Sequence, residues 1–266
     1  MEINFELYVQ TLTEMVNRVL ALPEVKRIRI RDVVLERNGA WPENIRQAAE
    51  KSWHDVCSDV DLCVCAEGIP AGDRGQYMQR MDRFGFGREN CLGRAFVPEN
   101  NMWRLVTKGG MRYDFGFEFA ESEAVPVSFF QDVELSEETA LWPMAQAECF
   151  WFVQVQALGK LFRRDYLIAD HLAHMNLNET LVQQMVLRDQ KKGTNHHRYG
   201  DGEARIYEKY LSVCPLCTGD DSHDRIAKKL YAAAAAFDEL MAHFEPAWEA
   251  RTPLFMELWQ CYARQA

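Results

Sequence analysis

The spacing of apolar residues along this chain of 266 residues changes in character near residue 130, and the change restricts the folds that it can adopt. Before about residue 130, segments in which apolar and polar residues alternate, the period of a β-strand with one buried face, are mixed with helical segments. Beyond that point they recur at every third or fourth position, which is the period of an amphipathic helix. We therefore predict an α+β protein in which a mixed sheet with flanking helices (residues 1–130) precedes an all-helical bundle (residues 131–266).

The same patterns predict individual elements. Ser136, followed by two glutamates, is an N-terminal helix signal for the second half, and the alanine run 232–236 predicts a closely packed helix surface. The pair Gly109-Gly110 suits a hairpin turn. Strands are expected at 26–36, 59–65, 103–106 and 112–119, and helices at 6–21, 42–53, 76–84, 166–188, 205–211, 223–249 and 254–264.

Composition and charge exclude several classes of protein. Hydrophobic residues make up 48% of the chain, as in globular proteins, and about 18 uninterrupted apolar residues occur nowhere. With no visible export signal, we expect a cytoplasmic protein that does not span a membrane, whose eight cysteines are reduced thiols. The net charge of -10 argues against a nucleic acid partner and suits a small cationic substrate.

Three aspartates are the strongest candidates for chemistry. Asp59 and Asp61 are two residues apart on a predicted strand, so they point the same way, about 6.6 Å apart at roughly 3.3 Å per residue. Asp114 lies on the polar face of the strand 112–119, which is backed by aromatic residues. Three neighbouring carboxylates repel one another unless a cation neutralises them, and Mg²⁺ prefers such oxygen ligands. The alternative for Asp59 and Asp61 is an exposed strand face without a ligand.

Several segments, taken in order, resemble the polymerase-beta-type nucleotidyltransferase core of the aminoglycoside 6-adenylyltransferases, the streptomycin adenylyltransferase family. The likeness extends from about residue 30 to about residue 250 and continues into the helical half. The segments that carry it are Val33-Val34-Leu35-Glu36, Ser58-Asp59-Val60-Asp61-Leu62, Met81-Asp82-Arg83-Phe84-Gly85, Arg112-Tyr113-Asp114-Phe115, Phe150-Trp151, 157–165, Tyr199-Gly200 and 205–211.

The resemblance implies an antibiotic-modifying enzyme with a nucleotidyltransferase fold. Such an enzyme transfers AMP from Mg²⁺-bound ATP to a hydroxyl of an aminoglycoside-like molecule. The family pattern assigns metal binding to Asp59, Asp61 and Asp114, and it leaves Asp114 as either a ligand or the base that takes the hydroxyl proton. It also suggests that the nucleotide contacts Ser58, Arg205 and Lys209. The alternative for Arg205 and Lys209, which are one helical turn apart, is a solvated helix face.

The chain departs from this family at one important position. Family members place a Gly-Ser pair after the first core strand, where it holds the triphosphate, whereas this chain has Arg37-Asn38-Gly39-Ala40. Arg37, Asn38 and Gly39 are therefore expected to contact the phosphates in its place. The departure leaves two alternatives: a binding module without activity, or an enzyme with another acceptor, such as a lincosamide, another hydroxylated metabolite or a protein side chain.

Cys214-Pro215-Leu216-Cys217 is the remaining motif. With His223, or with the pair His196-His197, the two cysteines would form a zinc site, but the second C-x-x-C of such a site is missing. The alternative is a plain loop. Thioredoxin-type redox use is disfavoured because no βαβ pattern surrounds the motif.

Overall fold

A computed structural model describes residues 2–38, 42–120, 144–193, 203–217 and 219–265. The chain divides into two compact units, residues 1–138 and 139–266. In the described residues the first unit contains all the strands and the second is helical. The structure thus has the predicted α+β composition, with a mixed sheet followed by helices. The predicted domain boundary near residue 130 and the predicted helix start at Ser136 lie outside the described residues.

Within the described residues, six strands of the first unit form one mixed sheet. The strands are β1 (Val25–Ile30), β2 (Val33–Glu36), β3 (Asp59–Glu67), β4 (Cys91–Val97), β5 (Met102–Thr107) and β6 (Arg112–Ala120). Their order across the sheet is β2-β1-β3-β6-β5-β4. The central strands β3 and β6 are parallel, while the other neighbouring pairs are antiparallel. The parallel pair matters most here because it brings two distant acidic segments side by side.

The sheet has an apolar face and a polar face because its residues alternate. Helices α1 (Phe5–Leu20) and α2 (Pro42–Ser52) and the short helix α3 (Arg74–Gln79) accompany the sheet, and α1 and the sheet share one hydrophobic core. Asn4 caps α1 by accepting a hydrogen bond from the Leu7 amide at 2.9 Å. Fully burying a phenylalanine stabilises the fold by about 1.5–3 kcal/mol, so the aromatic core is a major source of stability. Its members include Tyr8, Tyr77, Phe84, Phe115 and Phe117.

Two details of the sheet differ from the sequence prediction. The single strand expected at 26–36 is two strands, because the chain turns at Arg31 and Asp32 to form a β1–β2 hairpin. Arg31 has φ 54°, which side chains other than glycine rarely adopt, so the residue type did not signal the turn. Strand β4 was not predicted, since a register irregularity between Cys91 and Gly93 interrupts its alternation.

The second unit is helical throughout its described residues. The helices are α4 (Met144–Phe162), α5 (Tyr166–Lys192), α6 (Glu208–Leu211), α7 (Ser222–Phe244) and α8 (Thr252–Ala263), and α7 packs against both α4 and α5. Four of the five alanines in the run 232–236 are buried, which confirms the predicted close-packing surface. Phe150 and Phe237 stack in the same core with ring centroids 3.7 Å apart. None of the described helices combines the length and the apolar character needed to cross a membrane.

Candidate metal centre on the sheet

The carboxylates of Asp59, Asp61 and Asp114, here called the strand carboxylates, converge on the polar face of the sheet. Asp61 on β3 lies directly beside Asp114 on β6, and Asp59 is two residues earlier on the same face of β3. One oxygen from each carboxylate lies within 4.8 Å of the others. The side chains are 29%, 41% and 16% exposed for Asp59, Asp61 and Asp114, so the group is partly buried but open to solvent. The convergence predicted from the alternation is therefore present.

Each strand carboxylate is paired with an arginine. Arg31 Nη2 lies 2.7 Å from Asp61 Oδ2, and Arg104 Nε donates to Asp114 Oδ1 at 3.1 Å. Arg112 Nη2 reaches Asp59 Oδ2 at 3.5 Å, while its Nη1 donates to the carbonyl of Cys57 at 3.1 Å. Three positive and three negative side chains thus balance at this point of the sheet.

The sequence prediction missed these arginines, although part of the signal was visible. Arg112 precedes Asp114 by two residues, so the alternation already placed both on one face of β6. Arg104 lies beside Asp114 through the β5–β6 register, which the predicted hairpin could have supplied. No sequence pattern indicated that Arg31 would lie beside Asp61, because its position depends on the unpredicted turn between β1 and β2.

Electrostatic repulsion among the strand carboxylates persists despite the arginines. Burial is the main cause that raises the pKa of Asp61, and the charges of Asp59 and Asp114 add to it, while Arg31 and Arg104 oppose the rise. An additional cation would relieve this repulsion. Nearby, the hydroxyl of Tyr8 donates to the backbone carbonyl of Asp59 at 3.4 Å, and burial raises the pKa of that hydroxyl, so Tyr8 stays neutral.

The donor set fits a hard divalent cation. Mg²⁺ binds oxygen at about 2.0–2.1 Å, so two oxygens on one ion are at most about 4.2 Å apart. The oxygens of the strand carboxylates, within 4.8 Å of one another, need only small side-chain rotations to reach that spacing. Asp61 is the most exposed of the three carboxylates and its partner Arg31 is itself 42% exposed, so this ion pair is the easiest one for a cation to replace.

A second cluster of side chains also has its possible ligand atoms within 4.8 Å of one another, but its carboxylates bind backbone amides. Asp221, His223 and Asp224, here called the helix-start group, lie at the beginning of α7. Asp221 Oδ1 accepts the backbone amide of Asp224 at 2.8 Å, and Asp224 Oδ2 accepts the amide of Gly219. These carboxylates cap backbone amides, which is a common structural use of aspartate at a helix start.

Ser58 contributes to a turn before β3. Its hydroxyl accepts the backbone amides of His54 at 2.8 Å and Asp55 at 2.9 Å. It also donates to Asp55 Oδ1 at 3.3 Å, and the residue is only 6% exposed. The hydrogen-bonding capacity of this hydroxyl is therefore used within the loop that leads into β3. Ser58 directly precedes Asp59 in the chain, and its hydroxyl is directed to the turn.

The structure does not bring Arg37 and Asn38 to the strand carboxylates. Glu36, just before them, lies level with Cys65 across β1, four residues beyond Asp61 along β3. At roughly 3.3 Å per residue this is a separation of about 13 Å. Arg37 instead donates to three backbone carbonyls at and just after the C-terminal end of α1. These carbonyls belong to Leu20 at 3.0 Å, Leu22, and Val25 at 3.1 Å. Gly39 lies outside the described residues.

Arg205 and Lys209 belong to the second unit, and both are paired there. Arg205 forms an ion pair with Glu208, and Lys209 forms one with Glu239 of α7. The hydrogen bond from Lys209 to Glu239 raises the pKa of the Lys209 ammonium. Both cations remain at least half exposed, so they keep some capacity for a further anionic partner.

Comparison with known proteins adds no identification. No protein-family model matches the chain, and a search of curated proteins returns no match. The function is therefore inferred from the residues and their geometry.

Proposed function

We propose that this chain is a Mg²⁺-dependent nucleotidyltransferase, which transfers AMP from ATP to a hydroxyl of a small, polycationic, aminoglycoside-like molecule. The observation that carries the proposal is the convergence of three carboxylates from two parallel strands. The order of sequence segments that resemble aminoglycoside 6-adenylyltransferases supports the same reading, including a nucleotidyltransferase fold for the first unit. Neither argument alone would specify the reaction, because acidic strand faces also occur without a metal and one fold can serve many functions.

The proposed roles follow from exposure and pairing. Asp59 and Asp61 would hold Mg²⁺, and Asp114 would serve as a third ligand or as the base for the acceptor hydroxyl. When bound, Mg²⁺ supplies charge neutralisation at the phosphate oxygens as pyrophosphate leaves. Arg104 engages one oxygen of Asp114 and so fixes the orientation of that carboxylate. Arg112, which is buried and anchored to the Cys57 carbonyl, holds Asp59 in the same way.

The charge of the protein favours a cationic acceptor. The net charge of -10 raises the local concentration of polycations near the surface, and exposed carboxylates bind ammonium groups directly. Under this proposal the enzyme uses ATP in the cytoplasm and needs neither nucleic acid nor a membrane. A lincosamide, another hydroxylated metabolite or a protein side chain would use the same metal chemistry as an aminoglycoside acceptor.

A binding module without activity is the second candidate, and one observation favours it. Glu36, just before the segment that replaces the Gly-Ser pair, is offset from Asp61 by about 13 Å along the strand direction, at roughly 3.3 Å per residue. Arg37 donates its hydrogen bonds to backbone carbonyls. The Ser58 hydroxyl is likewise hydrogen-bonded within the turn that precedes β3. A nucleotide site without these contacts would depend on Arg31, Arg104 and the metal.

The direct test is release of pyrophosphate from ATP by the full-length chain with Mg²⁺ and a panel of aminoglycosides and lincosamides. Mass spectrometry of the acceptor shows whether AMP has been attached. Acceptor-dependent release that stops on addition of EDTA supports the proposal. Nucleotide binding without release on any acceptor contradicts catalysis and supports the binding module, and release with a lincosamide alone contradicts the aminoglycoside assignment.

A further inference from the structure

The two cysteines of the C-x-x-C motif lie against each other on the loop between α6 and α7. The Sγ atoms of Cys214 and Cys217 are 2.7 Å apart, and the amide of Cys217 donates to the carbonyl of Cys214 across the turn. A disulfide bond is about 2.05 Å long, so the two sulfurs would bond after moving by less than about 1 Å. The backbone turn thus already holds this pair in reach of a covalent bond.

The two thiols are within hydrogen-bond distance of each other. The hydrogen bond from Cys217 lowers the pKa of Cys214 to about 7, although burial opposes the change. The same bond raises the pKa of Cys217, because the retained proton is held between the two sulfurs. Burial raises the pKa of Cys63 to about 11 and also raises that of Cys149. The pair therefore carries thiolate character near neutral pH, which Cys63 and Cys149 lack.

A zinc site fits these atoms less well than a dithiol does. Zinc binds sulfur at about 2.3 Å in tetrahedral geometry, which keeps two sulfurs roughly 3.8 Å apart. Among the described residues, no histidine, aspartate, glutamate or third cysteine places a ligand atom within 4.8 Å of both sulfurs. His223, the partner expected from the sequence, groups with Asp221 and Asp224 instead. His196 and His197 lie outside the described residues.

We propose that Cys214 and Cys217 form a redox-active dithiol, which a low-molecular-weight disulfide such as oxidised glutathione converts reversibly into an intramolecular disulfide. This site is independent of the proposed nucleotidyl transfer. Cys217 is partly exposed and its neighbour Leu216 is 38% exposed, whereas Cys214 is 8% exposed, so Cys217 meets the oxidant first.

The exchange balances in two steps. The Cys214 thiolate takes the proton of Cys217 as the more exposed Cys217 sulfur attacks one sulfur of oxidised glutathione, whose S–S bond breaks and releases one glutathione thiolate. The Cys214 sulfur then attacks the Cys217 sulfur of the mixed disulfide and releases the second glutathione thiolate. The two protons of the protein dithiol pass to these two leaving thiolates. The dithiol is oxidised by two electrons, and one glutathione disulfide is reduced to two thiols.

The test uses the full-length protein in a series of reduced and oxidised glutathione mixtures, followed by alkylation and peptide mass spectrometry. We expect the peptide containing both cysteines to lose two hydrogen atoms and to escape alkylation, and dithiothreitol should reverse both changes. Cys214→Ser should accumulate a mixed disulfide with glutathione at Cys217, since the resolving sulfur is absent. Cys149→Ser is the matched control, because Cys149 is a partly exposed cysteine on α4, and this variant should oxidise at 214 and 217 like wild type.

Three outcomes would overturn the inference. The first is that both cysteines remain alkylated across the whole series. The second is that Cys149 and Cys63 oxidise as readily as the pair, which would mean that the oxidation is unspecific. The third is that native mass spectrometry of the untreated protein shows one zinc ion that either serine variant loses, which would make the motif a metal site.

Discussion

The two ends of the sheet differ in how their charged side chains are paired. At one end, Asp61 and its acidic neighbours contact arginine side chains from three separate strands or turns. At the other end, Arg37 donates to backbone carbonyls of Leu20 and Val25, which follow one another closely along the chain. At the Asp61 end, the carboxylates are paired with cations that a metal ion can replace. At the Arg37 end, the guanidinium is hydrogen-bonded to neutral backbone groups.

This difference indicates which end can carry chemistry. Replacing a guanidinium by a metal ion at Asp61 exchanges one cation for another on an exposed carboxylate, so the fold loses little. Moving Arg37 to bind phosphate would remove a donor from the partly buried carbonyls of Leu20 and Val25, and a buried acceptor left without a partner costs about 1–3 kcal/mol. We therefore propose metal and phosphate binding at the carboxylate end and a structural role for Arg37.

The largest expected effect is on activity. Asp61→Asn removes a metal-binding charge without changing shape, and metal stabilisation of a transition state contributes several kcal/mol. We expect kcat/KM for AMP transfer to fall roughly a thousandfold, which corresponds to about 4 kcal/mol. Asp221→Asn is the matched control, because Asp221 belongs to the helix-start group and should leave activity unchanged. Equal losses in both variants would contradict the assignment.

At the other end, the expected effect is on stability. Arg37→Ala should lower the free energy of unfolding by about 1–3 kcal/mol, because carbonyls at the end of α1 lose their donor. Urea denaturation measures this change. Calorimetry should show the same affinity for Mg²⁺-bound ATP as in wild type. If the variant has unchanged stability but binds ATP tenfold more weakly, Arg37 contacts phosphate and its structural role is contradicted.

A smaller effect separates Arg31, in the turn of the β1–β2 hairpin, from Arg37, which follows the hairpin. Arg31 competes with a metal ion for Asp61, and an exposed pair of this kind is worth about 0–1 kcal/mol. Arg31→Ala should therefore tighten Mn²⁺ binding without nucleotide by up to about fivefold, as measured by paramagnetic resonance of free Mn²⁺. Arg37→Ala should leave Mn²⁺ affinity unchanged. Weaker Mn²⁺ binding in the Arg31 variant would show that Arg31 supports the site.

The smallest effect is a pH dependence of stability in the metal-free protein. The pKa of Asp61 is raised from its usual 3.8, so the folded state holds this proton more tightly than the unfolded state does. Ionised Asp61 therefore opposes folding at neutral pH, and this cost disappears as pH falls below the usual pKa. With EDTA present, Asp61→Asn should melt at a higher temperature than wild type at pH 7, and at the same temperature below about pH 3.8. A lower melting temperature at pH 7 would contradict the sign.

The alternation of polar and apolar residues in the sequence was sufficient to predict which faces of β3 and β6 carry the three aspartates. The faces of β3 and β6 follow from a period of two, which places Asp59, Asp61 and Asp114 on polar faces from the order of residues alone. Their convergence also required β3 and β6 to be neighbours, a pairing between segments about 50 residues apart that local patterns do not encode. Arg31 adopts a positive φ without being glycine, and so its turn carried no local signature.

The same limitation explains the expectation for Arg37. Sequence order suggested that the segment after Val33–Glu36 would lie where family members hold phosphate. The chain instead reverses at Arg31, so β2 runs away from the strand carboxylates and Arg37 ends at the far side of the sheet. An added turn of this kind reverses strand direction while leaving the hydrophobic pattern almost unchanged.

The central claim is that the strand carboxylates bind a divalent metal together with a nucleoside triphosphate. Isothermal calorimetry of the wild-type chain with ATP tests it most directly, in Mg²⁺ and then in EDTA, with Asp61→Asn and Asp221→Asn as the paired variants. We expect a binding heat that requires Mg²⁺, disappears in Asp61→Asn and persists in Asp221→Asn, together with a stabilisation of about 2.7 kcal/mol at roughly 100 times the dissociation constant. The absence of any heat with every nucleoside triphosphate tried, or an equal heat in EDTA and in Asp61→Asn, would contradict the claim.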